Sequence, residues 1–171
     1  MLQRAVPLGF LNLSSLSSAV SPTLPVGALA ASASACNLSG SLLTLGGVIH
    51  GNFAIGQTVV GTGIPPNTII VQAGTKGTNS WWLSNSVTNG SGILVQAYVT
   101  PIVDFALIRA SGGAVNWRDD GIAPTGVSGG GFPMLTTDPP LEYRGDLSLL
   151  QFIQQTGNTS SVQIVFYSTS G

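Results

Sequence analysis

The chain has 171 residues, long enough for one good core with room for a small second module, and 6% of them are charged against about 25% in ordinary soluble domains. A net charge of −1 with 43% hydrophobic residues excludes a disordered segment, and the lack of a basic stripe excludes nucleic acid as the main partner. So little charge gives a lone small protein poor colloidal stability, so much of the surface is expected to be covered by neighbours. No apolar run is long enough for a transmembrane helix, and no membrane partner is expected. Cys36 is the one cysteine, so no internal disulfide can form.

Residues 1–35 alternate short apolar groups with serine and proline. Pro7, Pro22 and Pro25 argue against helix and favour extended chain. The expectation is an N-terminal arm with one or two edge strands, lying across a neighbouring subunit or serving as the first strand of its own sandwich. Arg4 and the Ala/Ser-rich residues 28–35 before Cys36 mimic an export signal. The prolines, Asn12 and the serines between Ser14 and Ser18 break its apolar stretch, so export is not expected.

Residues 36–99 are dense in Gly, Thr, Ser and Asn with short β-branched runs. Strands are predicted at Ser41–Leu45, Gln57–Val60, Thr68–Gln72, Ser80–Leu83 and Gly92–Val99. Turn signals separate them at Gly46-Gly47, Gly61 to Gly63, Pro65 to Asn67, Gly74 to Gly77 and Asn89-Gly90. This spacing suggests a small closed or nearly closed β module. Trp81 and Trp82 must face opposite ways on their strand, one packed in the core and the other exposed or covered by a partner.

Residues 100–171 are predicted to form a second β unit, with strands at Ala106–Ala110, Ala114–Arg118, Leu141–Tyr143, Leu147–Ile153 and Val162–Tyr167. In the second of these, Val115, Trp117 and Asp119 share one face and Asn116, Arg118 and Asp120 the other. Residues 122–133 read as a loop in which Gly129 to Gly131 can take positive φ cheaply. No segment has sustained helical periodicity with caps, so the chain is expected to be all-β.

Nine of the eleven charged residues lie between Asp104 and Asp146. Buried charge persists only when paired, so a structural network is expected, with Arg118 or Arg144 pairing to Asp119, Asp146 or Glu142. Asp119 and Asp120 are neighbours on an extended chain and face apart, so they cannot form a glycosidase pair, and Asp120-Gly121 is a hairpin turn signal. His50 is the only histidine, which excludes a His-based triad or a multi-His metal site within one chain. No Asp-x-Asp-x-Asp calcium pattern and no phosphate-cradling loop occurs. The tripeptide Arg144-Gly145-Asp146 falls where a turn is expected, and chance explains it. Cys36 reads as a small buried apolar residue. The reading is therefore non-enzymatic, without cofactor or metal.

The segment Trp117-Arg118-Asp119-Asp120-Gly121, followed by Leu141-Glu142-Tyr143 and Gly145-Asp146-Leu147, resembles a family of small tailed-phage virion structural proteins. The resemblance spans roughly residues 105–167, and residues 10–28 are similar to that family's N-terminal strand. Residues 36–99 are themselves similar to a recurring Gly/Thr-rich module of phage structural proteins. The resemblance implies an antiparallel, jelly-roll-like β-sandwich from residues 1–35 and 100–171 with a small barrel-like module, 36–99, inserted. It also implies a capsid decoration (cement) protein, a homotrimer made in the bacterial host cytoplasm and bound to the major capsid protein on the outer capsid surface. Trp117, Arg118, Asp119, Asp120, Glu142, Tyr143, Arg144, Asp146, Trp81 and Trp82 are the candidate structural or interface residues. The alternative is a tail, fibre or head-fibre component using Trp81 or Trp82 in a receptor- or glycan-binding module.

Overall fold

The computed structural model describes residues 4–14, 16–76 and 78–170. The first three residues of the expected arm and Gly77 of the expected Gly74–Gly77 turn lie outside the described residues. The chain is all-β and divides into two compact units, Met1–Pro25 with Ile102–Gly171 and Val26–Pro101.

The first unit is a sandwich. Strands β1 (Arg4–Leu13), β14 (Ser161–Ser170), β9 (Phe105–Ser111) and β12 (Leu141–Tyr143) form one antiparallel sheet in that order. Strands β11 (Phe132–Met134), β10 (Val115–Arg118) and β13 (Gln151–Gln154) form the other. Period-two alternation assigns the faces. In the first sheet the row Leu11, Ile164, Ile108 and Leu141 runs across all four strands towards the core. Val115, Met134 and Phe152 meet it from the second sheet. The N-terminal segment is thus the first strand of its own sandwich. β1 is an edge strand, which suits Pro7, since proline has no N–H for a ladder, and the register slips between Pro7 and Gly9. The chain then crosses to the other sheet, where Val20 exchanges two backbone hydrogen bonds with Phe152, each 2.9 Å.

The second unit is one curled sheet. Its order is β5 (Thr58–Gly61), β8 (Gly90–Tyr98), β2 (Leu29–Ser39), β3 (Leu42–Thr44), β7 (Ser80–Leu83) and β6 (Ile70–Ala73), with β4 (Ile49–Gly51) also on β2. It wraps around a core that includes Leu43, Phe53, Val59, Ile70, Leu83 and Val95. Cys36, a free thiol, is fully buried there.

Several boundaries differ from the sequence reading. β2 is the central strand of the second unit and begins at Leu29, so residues 26–35 belong to this unit rather than to the sandwich. Its first half is alanine and serine, residues of weak strand preference, and it is held in place by β8 and β4 on its two sides. A bulge between Ala33 and Cys36, with Ala35 at φ 53°, changes which residues face inward, from Ala31 and Ala33 to Cys36 and Leu38. His50 lies on β4, and β11 begins within the expected loop. Residues 147–150 form a turn rather than the start of β13, and Leu147 and Leu150 are buried.

Candidate interaction surface

Trp117 is the outermost residue of the inward-facing row of β10, opposite Phe132 on β11 and Phe152 on β13. Phe152 is fully buried, whereas Phe132 is 60% exposed, so Trp117 marks where the core opens to solvent. Its ring lies 5.3 Å from that of Phe132, tilted by 41°, and 6.1 Å edge-on from that of Tyr143. The Tyr143 hydroxyl donates to Asp119 Oδ2 at 3.2 Å, linking the end of β10 to β12. Burial, with the Asp119 carboxylate beside it, pushes the Tyr143 phenol up to about 12. Trp117, Asp119 and Tyr143 are thus brought together from distant parts of the chain.

Arg118 and Arg144 each pair with an acid two residues away. Arg118 donates through Nε to Asp120 Oδ1 at 3.0 Å, with a second contact from Nη2 to Oδ2. The chain bends just past β10, and Asp120, two residues on, is the acid that the Arg118 guanidinium meets. The Ile122 amide adds a hydrogen bond to Asp120 Oδ1, and the guanidinium first and this amide second hold the Asp120 carboxyl at about 2. Asp120-Gly121 accordingly opens the 119–131 connection to β11 and is not a tight hairpin. Arg144 donates to Glu142 Oε1 at 2.7 Å, as expected, and lies 4.8 Å over the ring of Phe105, which stacks on Tyr167. Asp146 accepts from the amide and hydroxyl of Ser148, a turn-forming pair. Both ion pairs are substantially exposed, so each adds little to stability. The expected buried network is two separate surface pairs.

The other face of β10 has a different role. Asn116 is 1% exposed because the glycine-rich loop folds over it. Its Nδ2 donates to the carbonyls of Thr125 (2.7 Å) and Val127 (2.9 Å), and its Oδ1 accepts from Gln155 Nε2 (2.9 Å). Of Gly129 to Gly131, only Gly129 has positive φ. Gly130 is required by close approach, because an added Cβ would lie 2.5 Å from the Thr125 carbonyl oxygen.

Beside Trp117 is an open groove of about 470 Å³. Trp117, Phe132, Pro139, Pro140, Asp138 and Glu142 line it. Sequence reasoning missed Phe132, Asp138 and the two prolines; the Gly-Phe-Pro run that enters β11 and the Asp-Pro-Pro run after it were the available signal.

In the second unit Trp81 is half-buried against the core, and its Nε1 is buried with no acceptor among the described residues. Trp82, on the opposite face, is 42% exposed. The two rings therefore form no common platform. Large apolar side chains are exposed on both units, among them Phe10 and Ile122 on the first and Ile55, Val48 and Leu94 on the second. Lys76 is the only Lys, Arg, Asp or Glu in the second unit. Among the described residues no group of three His, Cys, Asp or Glu side chains is placed to hold a metal ion. No family model, no curated protein and no solved structure matches the chain.

Proposed function

We propose that the protein is a non-enzymatic virion structural protein of a tailed phage, a decoration protein that binds the outer capsid surface and stiffens the shell. The observation that carries this reading is a unit, Val26–Pro101, with one formally charged side chain and many exposed large apolar ones. Monomers rarely leave broad apolar surface open, and such surface marks sites of association. The similarity of Trp117 to Asp120, Leu141 to Tyr143 and Gly145 to Leu147 to phage virion proteins supplies the context.

The action is adhesive. Binding that favours the closed shell over the opened one stabilises it by linkage, and a homotrimer contacting several major capsid subunits multiplies that effect through effective concentration. Mixing purified protein with bare expanded capsids and imaging them by electron microscopy tests this. Regular added density on the lattice supports decoration, and clean capsids, or density at the tail vertex alone, reject it. The exposed ring of Trp82 favours one second reading, a tail or fibre component whose glycan-binding surface would give a positive result on a sugar array.

A further inference from the structure

The groove beside Trp117 has ring faces and a carboxylate but no cation. Of its two acids, Glu142 is already taken by Arg144. Asp138 accepts one hydrogen bond, from the Leu135 amide to Oδ2 at 2.7 Å, and its Oδ1 has no donor among the described residues. The rings of Trp117 and Phe132 line the groove beside this carboxylate, and an aromatic face carries negative quadrupole potential that attracts a cation. Close by, the same unit holds a guanidinium in this kind of setting, with Arg144 paired to Glu142 and lying over Phe105. The groove offers carboxylate and rings in the same combination with the cation missing.

We infer that this groove receives an arginine side chain from a polypeptide other than a second copy of this chain, its guanidinium laid against Trp117 and Phe132 and hydrogen-bonded to Asp138. Charge complementarity selects a cation. A planar guanidinium stacks on aromatic faces and forks onto a carboxylate, which a compact, strongly hydrated lysine ammonium does less well. Three of the unit's cations do not fill the place: Arg118 and Arg144 are engaged elsewhere, and Arg109 makes no ion pair among the described residues. Neither a virion nor a capsid is needed for this inference, so it stands or falls separately from the decoration reading.

The test is an NMR titration of the full chain with N-acetyl-argininamide, following the Trp117 indole N–H, which Trp117→Phe assigns. N-acetyl-lysinamide and choline serve as comparison probes at equal ionic strength. The arginine probe is expected to shift Trp117 and Phe132 with a Kd of about 1 mM or weaker, an ordinary affinity for a single side chain. Asp138→Asn keeps an acceptor for the Leu135 amide while removing the charge, and it is expected to weaken the probe about fivefold with unit-1 core resonances unmoved. No saturable shift, or an Asp138→Asn protein that binds equally well, overturns the inference. Choline binding as tightly as arginine also overturns it, in favour of a general ammonium cage. A Trp117 shift that depends on protein concentration and disappears in Arg109→Ala overturns it too, by making a second copy the occupant.

Discussion

Replacing Asn116 by alanine isolates the interaction that pins the glycine loop to the sandwich. Three hydrogen bonds disappear, two to loop carbonyls and one from Gln155. The loop is also held by Thr125 N–H to the Gly130 carbonyl and by Thr156 N–H to the Gly126 carbonyl, so the orphaned groups cannot all turn to water. At a net 0.5–1.5 kcal/mol for each bond, the loss is about 3 kcal/mol. With a urea m-value of about 1.5 kcal/mol/M for a unit of this size, the unfolding midpoint falls by about 2 M. Trp117 fluorescence in a Trp81→Phe, Trp82→Phe background reports this unit alone. Asp at position 116 sharpens the test, since its carboxylate would face two carbonyl oxygens and its pKa would rise above the usual value of about 3.9. A raised folded-state pKa means that the variant is best tolerated below about pH 4 and loses stability as pH rises through the folded value. A cost for Asn116→Ala under about 0.5 kcal/mol, the scale of an ordinary surface change, refutes the reasoning. So does an Asp variant that is more stable at pH 7 than at pH 4.

Absorbance titration of tyrosinate is expected to find Tyr143 ionising near 12, with Asp119→Asn moving it back towards 10. Because the folded value is raised, its stabilising contribution is intact below pH 10 and is lost as pH climbs from there through about 12. The Asp120 side-chain carbon should titrate by NMR at about 2 in the native protein and move up towards 3.8 in Arg118→Ala. Its depressed value supplies stability above the ordinary carboxylate range that disappears as pH falls to about 2, and an unmoved midpoint in the variant argues against the ion pair. Among the loop glycines, Gly130→Ala should lower the melting temperature more than Gly129→Ala. The first meets the Thr125 backbone at 2.5 Å, while the second has open space and bears only the left-handed φ cost of about 1–2 kcal/mol.

Much of the fold could be read locally, and the misses share a cause. The alternation in Val162, Ile164 and Phe166, and the opposed faces of Trp81 and Trp82, follow from a period of two that any extended chain obeys. The all-β class follows from the prolines, the glycine turns and the absence of a helical stripe. The alanines and serines of β2 carry almost no strand preference, and β8, β3 and β4 make that segment the centre of its sheet. Phe132 and Pro133 read as loop because the three residues of β11 pair only once β10 is beside them.

The candidate site divides in the same way. Arg118 with Asp120 and Arg144 with Glu142 are pairs two residues apart, within reach of local reasoning. The contacts of Trp117 with Phe132, and of Trp117 and Asp119 with Tyr143, join residues that no local pattern links. Composition by itself determined that this chain would be short of charge and rich in glycine and apolar residues, because those properties are sums over residues. Tertiary structure alone decided that Asn116 would be buried under a loop, and that Asp138 would face an aromatic groove without a cation. Both depend on which distant segments the sheet pairing places side by side.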